Sequence, residues 1–194
     1  MQKLLFVLIL LAGVFSQYKE AEGVSPSIDN LLEHSTHVGV YARSIALAET
    51  KDATIAEAAF TAGVLHDMGK MIMAGNLPVW YKEVTKLRAD KQISDHAAES
   101  EMFGATHANV GACLLAAWGL PLSILEAVAW HHEPERSSEG SFGLLAAVHA
   151  ANAFAHEAEG TPSQFNHVFF DRIGLTGCYA RWRPMLGLTE AKAA

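Results

Sequence analysis

The stretch TAGVLHDMGK, from Thr61 to Lys70, is the part of the sequence around which the rest is arranged. An apolar helical run leads into His66 and Asp67, which are adjacent and would point about 100° apart on a helix. Lys70 follows His66 by four residues and Asp67 by three, so it shares their face. An imidazole, a carboxylate and an ammonium at this spacing are typical of a divalent-metal site beside an anionic ligand. A buried ion pair or a helix cap has the same pattern, and this stretch alone leaves both interpretations open.

The length and composition of the chain define its general class. Its 194 residues are enough for one domain with a sizeable core, and 51% of them are hydrophobic while 18% are charged. This mixture is typical of a packed helical protein, and no segment has the alternating pattern of a strand. The sequence therefore predicts a single all-α domain over residues 1–194. A formal net charge of −7 argues against a nucleic-acid partner, because it leaves no excess of basic side chains to contact phosphates.

The N-terminal stretch MQKLLFVLILLAGVF (Met1–Phe15) has two interpretations that its residues leave open. A lysine near the start, an apolar run from Leu4 to Leu11 and small residues after it are typical of a signal peptide. A core helix would have the same apolar composition, and the run is too short to span a bilayer. The two cysteines, Cys113 and Cys178, match no metal-ligand or redox spacing, which predicts a reduced cytoplasmic protein. Because the apolar run is too short to span a bilayer, no membrane partner is expected.

Hydrophobic periodicity and capping signals predict a series of helices joined by turns. The helix over residues 54–66 is expected to end near Gly69 and Lys70. The carboxylates of the charged segment Asp95–Glu101 are interpreted as a solvated helix face. The predicted helices cover about residues 28–49, 54–66, 80–90, 95–101, 106–118, 122–133 and 142–157, and the tail that follows Thr161 is expected to form short helices that pack on the bundle.

Ten histidines are the unusual feature of the composition. Four of the predicted helices carry them at positions flanked by small or apolar residues, namely His34, His66, His107 and the pair His131 and His132. One buried histidine is usually a hydrogen-bonded core residue, but histidines on four helices leave many ring nitrogens to satisfy, and a shared metal ion would satisfy them together. Such an imidazole-rich, thiolate-free set suits Fe, Mn, Zn, Co or Ni. Gly111 follows His107 by one turn and permits a second helix to approach closely there.

The order of these motifs resembles the HD superfamily of metal-dependent phosphohydrolases. More narrowly, it resembles the HDOD branch, which is related to the HD-GYP cyclic-dinucleotide phosphodiesterases. The strings that carry the resemblance are VFSQY (Val14–Tyr18), EHSTHVGVYAR (Glu33–Arg43), AFTAGVLHDMGK (Ala59–Lys70), FGATHANVGACLLAAWGLP (Phe103–Pro121), EAVAWHHEPE (Glu126–Glu135) and VHAANAFAHE (Val148–Glu157). Together they span nearly the whole chain.

This resemblance implies a compact, multi-helix HD-type bundle and assigns roles to matching positions. It makes metal ligands of His34, His66, Asp67 and His107, with His131 and His132 completing a second site. Asp67 and Lys70 would be the catalytic residues, and Lys70 would meet a phosphate or the water that attacks it. His37, one turn from His34, is the other candidate on its helix, but His34 fits the family register better.

The sequence departs from the family pattern at three points. Asn152 stands where the last metal ligand is commonly an Asp, and an amide oxygen binds a divalent ion more weakly than a carboxylate. Asn30 stands where HD-GYP relatives have a Glu, and the GYP motif is missing. These departures weaken a two-metal site more than a one-metal site.

The resemblance also bears on the N-terminus and on function. It implies that Met1–Phe15 is a core helix and that the chain is the C-terminal part of a longer signalling protein, with an upstream receiver or sensor domain. Two functions are expected from it. One is a metal-dependent phosphohydrolase or phosphodiesterase, acting on a phosphate-containing or nucleotide ligand in bacterial signal transduction. The other is a non-catalytic HDOD regulatory module that relays a signal through protein–protein contacts. A structural bundle with satisfied buried histidines is the remaining alternative.

Overall fold

The computed structural model describes residues 27–161 and 164–188, and within these ranges all regular secondary structure is helical. The predicted N-terminal core helix lies outside the described residues. The helices are α1 (Ile28–Thr50), α2 (Ala53–Leu65), α3 (Met68–Asn76), α4 (Pro78–Lys91), α5 (Asp95–Phe103), α6 (His107–Ala117), α7 (Leu122–Trp130), α8 (Leu144–Ala158), α9 (His167–Arg172) and α10 (Cys178–Met185), with a 3₁₀ turn at Pro134–Arg136. The all-α prediction is confirmed. None of the described helices is both long and apolar enough to cross a bilayer.

Several helices begin at a side chain that caps the first backbone amides. Ser27 accepts from the backbone N–H of the third residue of α1, Asp52 caps α2, and Ser94 caps α5 in the same way. Thr106 and Asn109 form a reciprocal capping box at the start of α6. Each cap satisfies amide groups that have no partner inside the helix, so these short polar residues determine where the helices start.

The helix that leads into His66 ends earlier than predicted. α2 stops at Leu65, Asp67 adopts φ −102° and ψ 10°, and α3 begins at Met68. The expectation of one continuous helix ending near Gly69 and Lys70 was therefore wrong, and α3 was not predicted. Glycine is a poor helix former and suggested a stop, but burial of most of α3 outweighs that propensity.

The core is built around α8, whose side chains are buried from Leu144 to Ala155. Many of them are alanines, and a helix with such small side chains can be approached closely on several sides. α8 contacts α1, which carries His34, and also α2 and α7, which end directly before His66 and His131. The short helices α9 and α10 add Phe169, Phe170 and Trp182 to the same core, which confirms that the tail packs on the bundle.

Two glycines bring α3 against α6. A Cβ atom on Gly69 would lie 1.9 Å from the carbonyl oxygen of His107 and 2.9 Å from the backbone nitrogen of Gly111. The predicted close approach at Gly111 is present, and its partner is α3. Because the backbones touch at this point, His107 at the start of α6 lies beside Asp67 at the start of α3.

Candidate metal centre

Asp67 lies at the break between α2 and α3, and buried side chains from several helices converge on its carboxylate. Its Oδ1 atom is 3.1 Å from His107 Nε2 and 3.7 Å from His131 Nε2. Its Oδ2 atom is 3.5 Å from His66 Nε2 and accepts a hydrogen bond from Lys70 Nζ at 2.7 Å. The four carboxylate and imidazole side chains are at most 1% exposed. The carboxylate is therefore shared by three imidazoles and one ammonium.

His66 and His131 are held by backbone carbonyls at the ends of their helices. His66 Nδ1 donates to the carbonyl oxygen of Gly63 and His131 Nδ1 donates to that of Val128, both at 2.7 Å. These carbonyls belong to the last turns of α2 and α7, where carbonyl groups lack partners inside the helix. With the proton on Nδ1, each ring directs the lone pair of Nε2 into the cluster. Neither Nε2 atom has a hydrogen-bond partner among the described residues, and both are buried.

His107 is held by a buried carboxylate instead. Glu99 Oε2 accepts from the backbone N–H of His107 at 2.7 Å and from its Nδ1 at 2.6 Å, and Tyr81 donates its hydroxyl to Glu99 Oε1 at 3.2 Å. Burial would raise the pKa of Glu99, but the His107 donors outweigh it and hold that pKa below its ordinary value. Glu99 is 0% exposed, so the interpretation of Asp95–Glu101 as a solvated face was wrong at this residue. No spacing in the sequence marked Glu99, because its partner lies on the next helix.

The six predicted ligands all lie at this centre, in two groups that share Asp67. The ligand atoms within each group are no more than 4.8 Å apart, and the groups are Asp67, His107, His131 and His132, and His34, His66 and Asp67. His132 is half-buried, and its Nε2 atom is 3.1 Å from that of His107. His107 therefore falls with His131 and His132, and not with His34 and His66 as the resemblance implies. His37 is exposed and belongs to neither group.

Asn152 on α8 lies beside the second group. Its Oδ1 atom is 3.0 Å from His34 Nε2, while His34 Nδ1 donates to Glu159 Oε1 at 2.7 Å. The amide therefore occupies the position next to His34 where the family pattern has a carboxylate. The group that contains His34 has one carboxylate, from Asp67, and the amide adds no charge to it.

Burial keeps most of these imidazoles neutral, which is the form that binds metal ions. It lowers the pKa of His66 to about 3 and holds the pKa values of His131 and His132 well below the ordinary value. Burial would also lower the pKa of His107, but the carboxylates of Asp67 and Glu99 on either side raise it. The site thus combines neutral imidazoles with a carboxylate, and its unpartnered Nε2 atoms fit a divalent cation.

Lys70 and Asp67 keep their charges inside the protein. Burial opposes both charges, but the pKa of Asp67 is held well below its ordinary value by His66, Lys70 and His107. Burial would lower the pKa of Lys70, but the carboxylates of Asp67, Asp95 and Glu99 together raise it. Lys70 is therefore a cation at the edge of the cluster, as its predicted contact with phosphate requires.

Two adjoining cavities of about 410 and 490 Å³ open beside the cluster. Both are lined by Lys70, Arg88, Asp95, His156 and Thr161. Asp67 and His34 line the first cavity, and His132 lines the second. A ligand in either cavity would contact both candidate metal ligands and two cationic side chains.

A substitution of Glu99 tests whether this residue supports metal binding by holding His107 in place, without being a metal ligand itself. Glu99→Gln removes the negative charge that holds the Nδ1 proton of His107, and losing such a partner typically weakens metal binding about 10- to 100-fold. We expect a loss of that size when a chelator of known affinity competes for Zn²⁺. Glu101→Gln is the matched control, because Glu101 lies on the same helix and is exposed. Equal Zn²⁺ affinity in wild type and Glu99→Gln would contradict the positioning role.

A model of the HDOD domain family matches residues 3–134, which is more than half of the chain. A curated, uncharacterized protein of Treponema pallidum (strain Nichols) is 27% identical over 122 residues, which cover 63% of the chain and 24% of that protein. The matched segment therefore spans about a quarter of this relative's length.

Solved structures with the same fold include an HDOD domain protein of unknown function from Geobacter sulfurreducens, with 20% identity and a TM-score of 0.69 over 92% of this chain and 67% of that one. A suspected phosphohydrolase from Shewanella amazonensis SB2B has 17% identity and a TM-score of 0.70 over 93% and 66%. The MmoQ response regulator from Methylococcus capsulatus has 21% identity and a TM-score of 0.54 over 80% and 61%. At these sequence identities, the similarity to the solved structures shows a shared fold and nothing more.

Proposed function

Because the chain belongs to the HDOD domain family, we propose that it holds a divalent metal ion at Asp67 and acts as a phosphohydrolase or phosphodiesterase domain in bacterial signal transduction. The observation that carries this proposal is the orientation of three imidazoles. His66, His107 and His131 each have Nδ1 bound by a protein acceptor. Their Nε2 atoms all lie between 3.1 and 3.7 Å from the Asp67 carboxylate. Metal-ligating histidines are commonly oriented in this way, by an acceptor that binds the N–H of the other ring nitrogen.

The ligand set suits Fe, Mn, Zn, Co or Ni, because neutral imidazoles and a carboxylate bind these ions well. A divalent ion held here would supply Lewis acidity toward a phosphoryl oxygen and an attacking water. His107 is the residue most changed by such an ion. Its ring lies between two carboxylates that favour a proton on it, and a bound cation would take the place of that proton.

Lys70 is the residue we assign to the substrate. Its Nζ atom donates one hydrogen bond to Asp67, and an ammonium has two further donors. The side chain lines both cavities, so these donors are available to a phosphate oxygen there. Asp67 holds the ammonium in place and, because its pKa is low, remains an anion that accepts hydrogen bonds.

Arg88 on α4 supplies a second positive charge to the same space. Its Nη1 atom donates to Asp95 Oδ1 at 3.1 Å, which holds the guanidinium at the rim of both cavities. A guanidinium has five N–H donors, so this contact leaves others for a phosphate. Together, Lys70 and Arg88 favour a substrate with at least one phosphate group.

The proposal is tested with protein stripped of metal and reloaded with Mn²⁺, Fe²⁺ or Zn²⁺. Bound metal is counted by mass spectrometry, and hydrolysis of bis(p-nitrophenyl) phosphate and a panel of nucleotides is followed. We expect at least one equivalent of metal, and turnover that His66→Ala abolishes and that His167→Ala retains, because His167 is exposed on α9 and lines neither cavity. Substoichiometric metal together with no hydrolysis of any substrate would overturn the proposal.

The second function is a non-catalytic regulatory module that relays the state of an upstream receiver or sensor domain through protein contacts. Asn152 favours it, because an amide beside His34 supplies neither the charge nor the basicity of a carboxylate. In this function the metal centre would stabilise the bundle. His66→Ala would change the thermal stability and partner binding, and neither wild type nor the variant would hydrolyse any substrate.

Asn152→Asp tests whether the amide at this position limits metal binding. The new carboxylate would lie next to His34 and raise the affinity of the His34, His66 and Asp67 group for a divalent ion. We expect a rise of about tenfold, or about 1.4 kcal/mol. A charge pair at about 4 Å contributes about 4 kcal/mol when the effective dielectric constant is about 20, and the desolvation of the new carboxylate offsets much of that gain. Isothermal titration of metal-free protein with Mn²⁺ measures it.

The control is Asn76→Asp, which makes the same change of charge at an exposed residue at the end of α3. Asn76→Asp is expected to leave Mn²⁺ binding unchanged. If Asn152→Asp binds Mn²⁺ no more tightly than wild type, the amide is not the feature that limits this group.

A further inference from the structure

A second cluster of metal-ligating side chains lies outside the set that faces Asp67. His156 in the last turn of α8 and Glu159 just after it are three residues apart, which places them on the same side of the helix. His34 on α1 packs against them. His34 Nδ1 is 2.7 Å from Glu159 Oε1, His156 Nδ1 is 3.5 Å from Glu159 Oε2, and the two imidazole rings have centroids 4.7 Å apart.

The donor atoms of this cluster suit a transition metal. His34, His156 and Glu159 each offer one ligand atom, and these atoms lie within 4.8 Å of one another. Two imidazole nitrogens and one carboxylate oxygen form a common protein ligand set for Zn²⁺, with water completing the coordination. Small side-chain movements are enough to bring such atoms to ligating distance.

The cluster is also accessible from solvent. The side chains of His156 and Glu159 are 28% and 35% exposed, whereas those of His66, Asp67 and His107 are at most 1% exposed. All three members of the cluster line the cavity of about 410 Å³. An ion from solvent therefore reaches them before it reaches Asp67.

We propose that His34, His156 and Glu159 form an outer binding site for a divalent transition metal such as Zn²⁺, at the mouth of the cavity and separate from the Asp67 centre. His34 belongs to both. Its Nδ1 atom faces Glu159 and its Nε2 atom faces Asn152. A neutral imidazole has one lone pair, so His34 ligates one ion at a time. An ion at the outer site therefore removes His34 from the inner set and leaves His66 and Asp67 in that group.

A different role for Glu159 has to be distinguished from this one. By accepting from His34 Nδ1, Glu159 could act solely to direct His34 Nε2 inward, as Glu99 does for His107. His156 separates the two roles, because the structure gives it no hydrogen bond to His34. If Glu159 acts only by positioning, removing the His156 imidazole leaves the number of bound ions unchanged.

The experiment is a titration of metal-free protein with Zn²⁺ alone, with bound equivalents counted after gel filtration, in Asp67→Asn and in the same variant combined with His156→Ala or Glu159→Gln. Asp67→Asn removes the carboxylate that both inner groups share, so His34, once free of an outer ion, cannot complete a second inner site. We expect Asp67→Asn to bind one equivalent more than either double variant. His37→Ala in the same background is the matched control, since His37 is exposed and lines the same cavity without belonging to the cluster, and it is expected to bind as many equivalents as Asp67→Asn alone. Far-UV circular dichroism verifies that each variant is folded.

The proposal is overturned if Asp67→Asn with His156→Ala binds as many equivalents as Asp67→Asn alone, whether or not the variant with Glu159→Gln binds fewer. It is also overturned if His37→Ala loses the same equivalent. Because the outer site does not use Asp67, this comparison does not depend on whether the inner centre binds metal.

Discussion

Asp67→Asn is expected to abolish metal binding at the inner centre, because Asp67 is the one residue shared by both of its ligand groups. The substitution replaces a buried carboxylate by an amide of the same size and leaves the imidazoles in place. We expect the affinity for Mn²⁺ or Zn²⁺ to fall about a thousandfold, or about 4 kcal/mol, since the attraction between the cation and a buried carboxylate is lost. Titration of metal-free protein, with the outer equivalent subtracted, measures the loss.

The same substitution also lowers the stability of the protein, and controls must separate this effect from the loss of metal binding. Lys70 is buried against Asp67, so Asp67→Asn leaves a buried ammonium without its anion and lowers stability. The double variant Asp67→Asn with Lys70→Met removes that charge. It is expected to recover thermal stability without recovering metal. Asp90→Asn, at an exposed position on α4, is the neutral control. Inner-site affinity within threefold of wild type in Asp67→Asn would refute the centre described above.

Gly69→Ala is expected to destabilise the protein by about 3 kcal/mol, near the upper end of what overpacking costs. The added Cβ would lie 1.9 Å from the carbonyl oxygen of His107, and the neighbouring atoms are backbone atoms that cannot move without separating α3 from α6. Alanine is a better helix former than glycine by about 1 kcal/mol, so helix propensity alone predicts that Gly69→Ala stabilises the protein. Urea unfolding of the metal-free protein shows whether the free energy of unfolding falls or rises.

The control is Gly140→Ala, where an added Cβ has no atom within 4 Å. Gly111→Ala gives a graded comparison, because its Cβ would lie 3.2 Å from the Gly69 nitrogen, and we expect a smaller loss there. Because the Gly69 contact also positions His107 beside Asp67, Zn²⁺ affinity is expected to fall with stability. A Gly69→Ala variant as stable as wild type would show that the two helices do not meet as described.

Much of the fold follows from local signals in the sequence. Ser27, Asp52, Ser94 and Thr106 are short polar residues that cap helices, and the apolar periodicity between them is helical. For that reason most helices lie within a few residues of their predicted bounds. The exception is α3, whose formation depends on burying Met68 and its neighbours against other helices. Such tertiary burial is not visible in a local pattern.

The candidate site could likewise be predicted from the sequence only in part. The resemblance selected six ligand positions, and the structure brings all six to one centre. It also shows two carboxylates that the pattern did not single out, Glu99 behind His107 and Glu159 behind His34. Glu159 is 125 residues from its partner, so no spacing rule connects the two.

The sequence by itself determined the helical class, the family and the residue types available for metal ligation, because these depend on composition, local periodicity and the order of motifs. Only the tertiary structure decided which nitrogen of each imidazole faces Asp67, which carboxylates are buried behind the ligands, and that His107 lies with His131 and His132. Those properties arise from contacts between helices, since burial and hydrogen bonding across the bundle determine the protonation and orientation of each side chain.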